Sequence, residues 1–127
     1  MRDMKNKMDA VNSLVPAVYS TNQAENGTGV DLRDFDAAVV LFMTGVITDG
    51  TFTPKIQESD DDVTYTDVDP TDQEGALSAL SASAVQRLGY KGSKRYLRPV
   101  VTVASATSGG AVAAHVIRAL PHRAPVA

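Results

Sequence analysis

The chain contains no cysteine and no tryptophan, and only two histidines, His115 and His122. Without cysteine, disulfide stapling and thiolate metal sites are excluded. Two histidines, one within an apolar stretch and one in a proline-containing tail, do not offer the ligand spacing of a zinc site. No apolar run approaches the ~20 residues of a membrane-spanning helix, and no membrane association is expected. Arg2, Lys5 and Lys7 are interrupted by Asp3 and Asp9 with no apolar stretch behind them, so no signal peptide is expected. Serines are plentiful, but no G-x-S-x-G elbow or comparable motif gathers them into a catalytic set. No catalytic residue, cofactor, bound metal or small-molecule substrate is expected.

What remains is a chain of 127 residues, the length of one domain. Its Gly, Ala, Val, Thr, Ser and Asp suit strands and turns. The net charge of −3 hides a segregation. Residues 21–75 carry 13 acidic groups against Arg33 and Lys55, whereas residues 76–127 carry seven basic groups and no acidic one. Two readings stay open. The halves neutralise each other as neighbouring strands, or copies of the chain meet acidic side to basic side, which would set register and partner choice. Direct nucleic-acid binding is not expected, because the acidic field opposes it.

Along the chain, Met4, Met8, Val11 and Leu14 recur at helical spacing, and Pro16 would end such a helix. Residues 1–20 are therefore expected as an N-terminal helical or extended arm, packed on its own domain or reaching a neighbour. Residues 21–29 (TNQAENGTG) read as a loop and 30–36 as a connector with Leu32 and Phe35 turned inward. Residues 37–43 (AAVVLFM) read as a central strand buried on both faces. Thr48-Asp49-Gly50-Thr51 is a hairpin signal. A strand follows over 52–58, with Pro54 asking for an edge. Ser59–Asp62 turns, and 63–68 alternates. Residues 69–75 form a loop and 76–80 a short helical turn, because Ala and Leu favour it. Strands follow over 84–90, 95–106 and 111–120, separated by turns at Gly92-Ser93 and Gly109-Gly110, with Pro99 marking an edge or a bulge. Two antiparallel meanders result, one before residue 70 and one after 83, packed as an all-β antiparallel β-sandwich of jelly-roll type over residues 21–120. Residues 121–127 (PHRAPVA) form an extended C-terminal tail.

Asp60-Asp61-Asp62 raises the question of calcium. The EF-hand pattern is absent, and a turn capped by an Asp side chain is the plainer reading. Tyr90–Tyr96 (YKGSKRY) lacks P-loop spacing and reads as a charged hairpin with tyrosines on lysine stems.

The segments GTGVDL (27–32), TDGTFTPKIQESDD (48–61), TYTDV (64–68), VQRLGYKGSKRYLR (85–98) and VIRALPHRAPV (116–126) together resemble a group of small structural proteins of tailed bacteriophages and prophages. The resemblance implies a virion component made in the host cytoplasm. It points first to a capsid-decorating (cement) protein that oligomerises and bridges major capsid subunits, and second to a head–tail connector, neck or tail protein. A carbohydrate- or host-binding module is the alternative of another class. Flanking segments would carry the contacts: Met4, Met8, Val11, Leu14 and Tyr19 from the arm, Pro121, His122 and Arg123 from the tail, and Arg95 and Arg98 from the basic half.

Overall fold

Alternation decides the architecture. Along most of the longer strands every second side chain is apolar and turned to one side, and two sheets close over those sides. The computed structural model describes residues 1–125. A single 3-10 turn, Lys5–Lys7, precedes β1 (Met8–Tyr19), β2 (Ala24–Asn26), β3 (Val30–Asp31), β4 (Phe35–Ile47), β5 (Thr51–Ser59), β6 (Thr66–Asp67), β7 (Gln73–Glu74), β8 (Val85–Tyr90), β9 (Tyr96–Ala104) and β10 (Gly110–Pro121). The first sheet runs β1-β10-β4-β8-β7; the second runs β2-β9-β5-β6, with β3 also on β9. All pairs are antiparallel. The fold is an all-β sandwich, as expected from the strand and turn pattern. Among the described residues no helix is long and apolar enough to cross a membrane.

Between the sheets lie Val40, Phe42, Phe52, Ile56, Leu88, Leu97 and Val116, all essentially inaccessible. Each such side chain contributes roughly 1.5–3 kcal/mol by leaving water. Leu14, Val101, Val103, Val112 and Ala114 complete the layer.

The expected meanders do not form. β4 and β5 flank the Asp-Gly turn yet belong to different sheets, and so do β8 and β9, and β9 and β10. Each tight turn carries the chain over an end of the sandwich. The Asp49 carboxylate holds two of these crossings together, accepting from the backbone N–H groups of Thr107, Ser108 and Gly109.

Residues 8–19 are a strand, not a helix. β1 is an edge strand of the first sheet, pairing with β10 from Met8↔Ala119 to Tyr19↔Gly110. Register shifts at Asn12/Leu14 and Leu14/Ala17 break its two-residue period. The first shift lets Val11 and Leu14, three residues apart, both meet the core within an extended chain, while Met8 turns to the opposite face. Pro16 sits in the second irregularity, where no ladder N–H is required of it. The loop expected over 21–29 contains the short strand β2, and the connector over 30–36 contains β3.

The helical turn expected over 76–80 is irregular chain. Leu80 is buried and its N–H donates to the Phe52 carbonyl. Gln86 accepts from Ser78 N–H and donates to its carbonyl. Tertiary anchoring here overrides a helix propensity that is worth only fractions of a kcal/mol per residue. Pro54 lies where β5 has a partner on one side only, since β6 reaches no further than Gln57 and Glu58. Pro99 is in the interior strand β9, at the gap between β2 and β3, and its carbonyl accepts from Gly27 N–H at 2.8 Å. The tail begins inside β10, where Pro121 pairs with Phe35, and His122 N–H donates to the Asp34 carbonyl. Val126 and Ala127 of the expected tail lie outside the described residues.

Candidate interaction face

The outer surfaces of the two sheets differ in chemistry. On the second sheet the outward residues are Thr51, Thr53, Lys55 and Gln57 of β5 beside Thr102 and Arg98 of β9. Arg98 donates twice to Gln57 Oε1, at 3.0 and 2.7 Å, and its guanidinium lies 4.0 Å from the Tyr65 ring centroid. This face has the polar outside normal for an antiparallel sheet.

The first sheet breaks that rule. With Ala38, Val40 and Phe42 turned inward, Ala37, Val39, Leu41 and Met43 of β4 turn outward. The register then builds rows across the strands. One row is Met8–Ala119–Ala37, the next Ala10–Ile117–Val39–Gly89. A third is Asn12–His115–Leu41–Arg87, and a fourth Ala113–Met43–Val85. Beyond it a shallow groove lined by Pro16, Ala17, Met43, Gly45 and Ala111 opens to solvent. Val18, Val46 and Val85 stand exposed at 66%, 74% and 63%. Three of the polar side chains, Asn12, His115 and Arg87, share a single row. His115 Nδ1 is enclosed and meets no hydrogen-bonding partner in the chain.

A second concentration of chemistry sits at one end of the sandwich. A cleft of about 380 Å³ lies between residues 32–38 and 90–95. Arg95 forks onto Asp31, its Nε and Nη2 donating at 3.0 and 2.8 Å, and this guanidinium holds the Asp31 carboxyl below its usual range. Lys94 pairs with Asp60 at 2.8 Å. The Tyr90 hydroxyl donates to Glu58 at 2.7 Å, and burial, with that carboxylate, pushes the phenol up. Thus 90–96 is a sheet-to-sheet connection held by acidic partners, not a hairpin. His122 Nε2 lies 2.7 Å from Asp36 Oδ1, which raises the imidazole above its ordinary value. Arg118 donates to the Asp31 carbonyl at 2.8 Å and to Asp9, with Phe35 under its guanidinium.

Part of the segregated charge is paired inside the chain. Lys91–Glu74, Lys94–Asp60 and Arg95–Asp31 each join the basic half to the acidic half. Asp61 is a capping residue: its Oδ1 accepts from Val63 and Thr64 N–H and from the Ser59 hydroxyl, which holds its carboxyl down to about 2, the Thr64 bond contributing most. Among the described residues no three His, Asp or Glu side chains are grouped to hold a metal ion.

The residues expected at contacts are divided by the fold. Leu14 is 4% exposed and belongs to the core, so it has no surface to offer. Val11 packs against that core. Met8 joins the outer face of the first sheet, Tyr19 ends β1, and Met4 is exposed in the segment ahead of β1. Arg95 and His122 belong to the charged end of the sandwich, with Pro121 close by in register with Phe35. Arg123 is exposed beyond β10, and Arg98 lies on the polar second sheet. The apolar face itself was not singled out from sequence. Its signal is the run AAVVLFM, apolar at both parities; the strand expected there to be buried on both faces is fully covered on one and half-exposed on the other.

Neither the family models nor the curated proteins give a match to this chain. Among solved structures it is similar to the SPBc2 prophage-derived protein YomS, 15% identical over 87% of this chain and 93% of that one, with a TM-score of 0.48. It is also similar to a chain of infectious bursal disease virus, Gx strain, 8% identical over 92% of this chain, with a TM-score of 0.52. This chain spans 32% of that viral chain, and the likeness is one of fold.

Proposed function

We propose that this protein is a non-enzymatic structural component of a virus particle, acting as a capsid-decorating protein that oligomerises and bridges major capsid subunits. The observation that carries the reading is the open, apolar outer face of the first sheet. A sandwich with one polar and one adhesive side is suited to being built into something larger. The phage-like motifs in the sequence support a virion setting, and the sandwich likeness to part of a viral chain is compatible with it. The work is mechanical: a rigid β body spreads load between neighbours, and repetition over a lattice multiplies contacts that are individually weak.

The test is to purify particles from the phage or prophage that encodes the chain and count its copies by quantitative mass spectrometry. Copy numbers in the hundreds are expected. About six or twelve copies would move the protein to the neck, and absence from particles would overturn the virion reading.

A further inference from the structure

We infer that the outer face of the first sheet is a homotypic interface: a second copy of this chain packs on it, sheet against sheet, so that β1, β10, β4 and β8 of each copy form the inner layers of a four-layer assembly. This rests on the reading of the chain as an assembling protein and names the surface and the partner.

The first argument is size. The rows from Met8–Ala119–Ala37 to the groove beside Gly45 cover roughly 20 Å by 30 Å at ordinary strand spacing and rise, about 600 Å² in projection. This area includes the polar side chains of Asn12, His115 and Arg87, and its apolar remainder is in the range of the largest patch on a soluble monomer, which is often a functional one. Two such faces together bury about 1,200 Å², the lower bound of a specific, stable interface.

Charge is the second argument. His115 and Arg87 are the ionisable side chains in these four-strand rows and share one row, with Arg87 on β8 towards the sheet margin; at that margin Glu74 of β7 continues the Gly89 row and pairs with Lys91. A charged partner would be desolvated against this face without compensation. The matching surface must be flat and apolar opposite the central rows, with its charges at the margin. The chain's other sheet presents Thr53, Lys55, Gln57, Arg98 and Thr102 and does not match. The first sheet is the surface of this chain that complements itself, which is the condition for a two-fold, isologous contact. Aligned packing at about −30° is available to two twisted sheets of this kind.

The third argument comes from β4. Its outward residues Val39, Leu41 and Met43 are as apolar as its inward ones, the composition of a strand covered on both sides. The chain supplies one cover, and a second copy supplies the other.

The purified chain is examined by sedimentation equilibrium from about 1 to about 200 µM. A dimer is expected, and Leu41→Lys is expected to weaken it by at least about 30-fold. Because the chain has no cysteine, single-cysteine variants give an independent readout. Alkylation of Ile117→Cys should slow about tenfold at concentrations where the dimer forms, while Thr102→Cys reacts at an unchanged rate. If Leu41→Lys loses its β-sheet circular dichroism, the labelling contrast decides. A chain that stays monomeric throughout the range, including one that binds only capsid subunits, overturns the inference. So does a dimer that protects Thr102→Cys and leaves Ile117→Cys reactive. All of this is measured without particles, so a dimer absent from particles would refute the virion reading alone.

Discussion

Asp49 and Gly109 hold each other from both sides. Gly109 N–H donates to Asp49 Oδ1 at 2.9 Å, and the Gly109 carbonyl accepts from the N–H groups of Thr48 and Asp49 at 2.9 and 3.4 Å. Sixty positions separate the two residues. One lies in the crossing from β4 to β5, the other in the crossing from β9 to β10, so a single carboxylate clamps two passages between the sheets.

Replacing Asp49 by Ala is therefore expected to lower the thermal midpoint by several degrees, and Asp49→Asn by less, because an amide oxygen still accepts. Gly109→Ala is expected to be worse. Gly109 has φ of +77°, and an added Cβ would run into the Tyr19 backbone carbonyl, which cannot swing aside. Thermal unfolding of the three variants checks the order.

Truncation separates the segment ahead of β1 from β1 itself. Removing residues 1–7 leaves β1 intact and should be tolerated. Removing residues 1–15 deletes core residue Leu14 and strips most of the cover from β10, so the chain is expected not to fold. Circular dichroism of both truncations reads the difference.

Acid should loosen the turns first. The Asp61 carboxyl is held down to about 2 by Thr64 and Val63 N–H and the Ser59 hydroxyl, and Asp49 is lowered by Thr107, Gly109 and Ser108 N–H. A depressed acid contributes fully above its unfolded value of 3.8 and loses that contribution as pH falls through the folded one. Stability should therefore decline below about pH 4, and Asp61→Asn should flatten that decline in thermal melts.

His122 works in the opposite sense. Asp36, with Asp34 nearby, raises the imidazole above 6.5. A raised base contributes fully below its unfolded value and loses that contribution as pH rises through the folded one. Exchange of the His122 amide, which donates to the Asp34 carbonyl, is expected to quicken on crossing that value beyond the intrinsic base-catalysed rise, and Asp36→Asn should lower the His122 titration midpoint seen by NMR.

Core truncations should follow burial. Phe42 and Phe52 are fully enclosed, so either residue changed to Ala is expected to cost about 3–5 kcal/mol in denaturant unfolding. Gly27→Ala is also expected to destabilise, since its Cβ would meet Ser13 Oγ and the Pro99 ring at 2.5 and 2.8 Å.

Several strands were legible because their signals are local. The alternation around Phe52 and Ile56 gave β5, the mixed apolar and turn pattern gave β8, β9 and β10, and the Asp-Gly and Gly-Gly pairs marked turns in the right places. The destinations of those turns were not legible. A residue at positive φ reverses the chain equally well into the same sheet or over to the facing one, and only the packing of Phe42 against the opposite layer distinguishes the two. In β1 a bulge disguised part of a strand as a helix. In Ala76–Leu80, the hydrogen bond to Phe52 overruled a helix preference.

Composition and pattern by themselves determined the sandwich: residues suited to strands and turns dominate, and apolar residues at a two-residue period require two sheets to face one another. Only the tertiary structure decided which strands share a sheet, and so which parity of AAVVLFM meets the core and which meets water. Sequence records that both sides of a strand are apolar. It cannot say that the chain has only enough sheet to cover one of them, because the cover comes from residues distant along the chain.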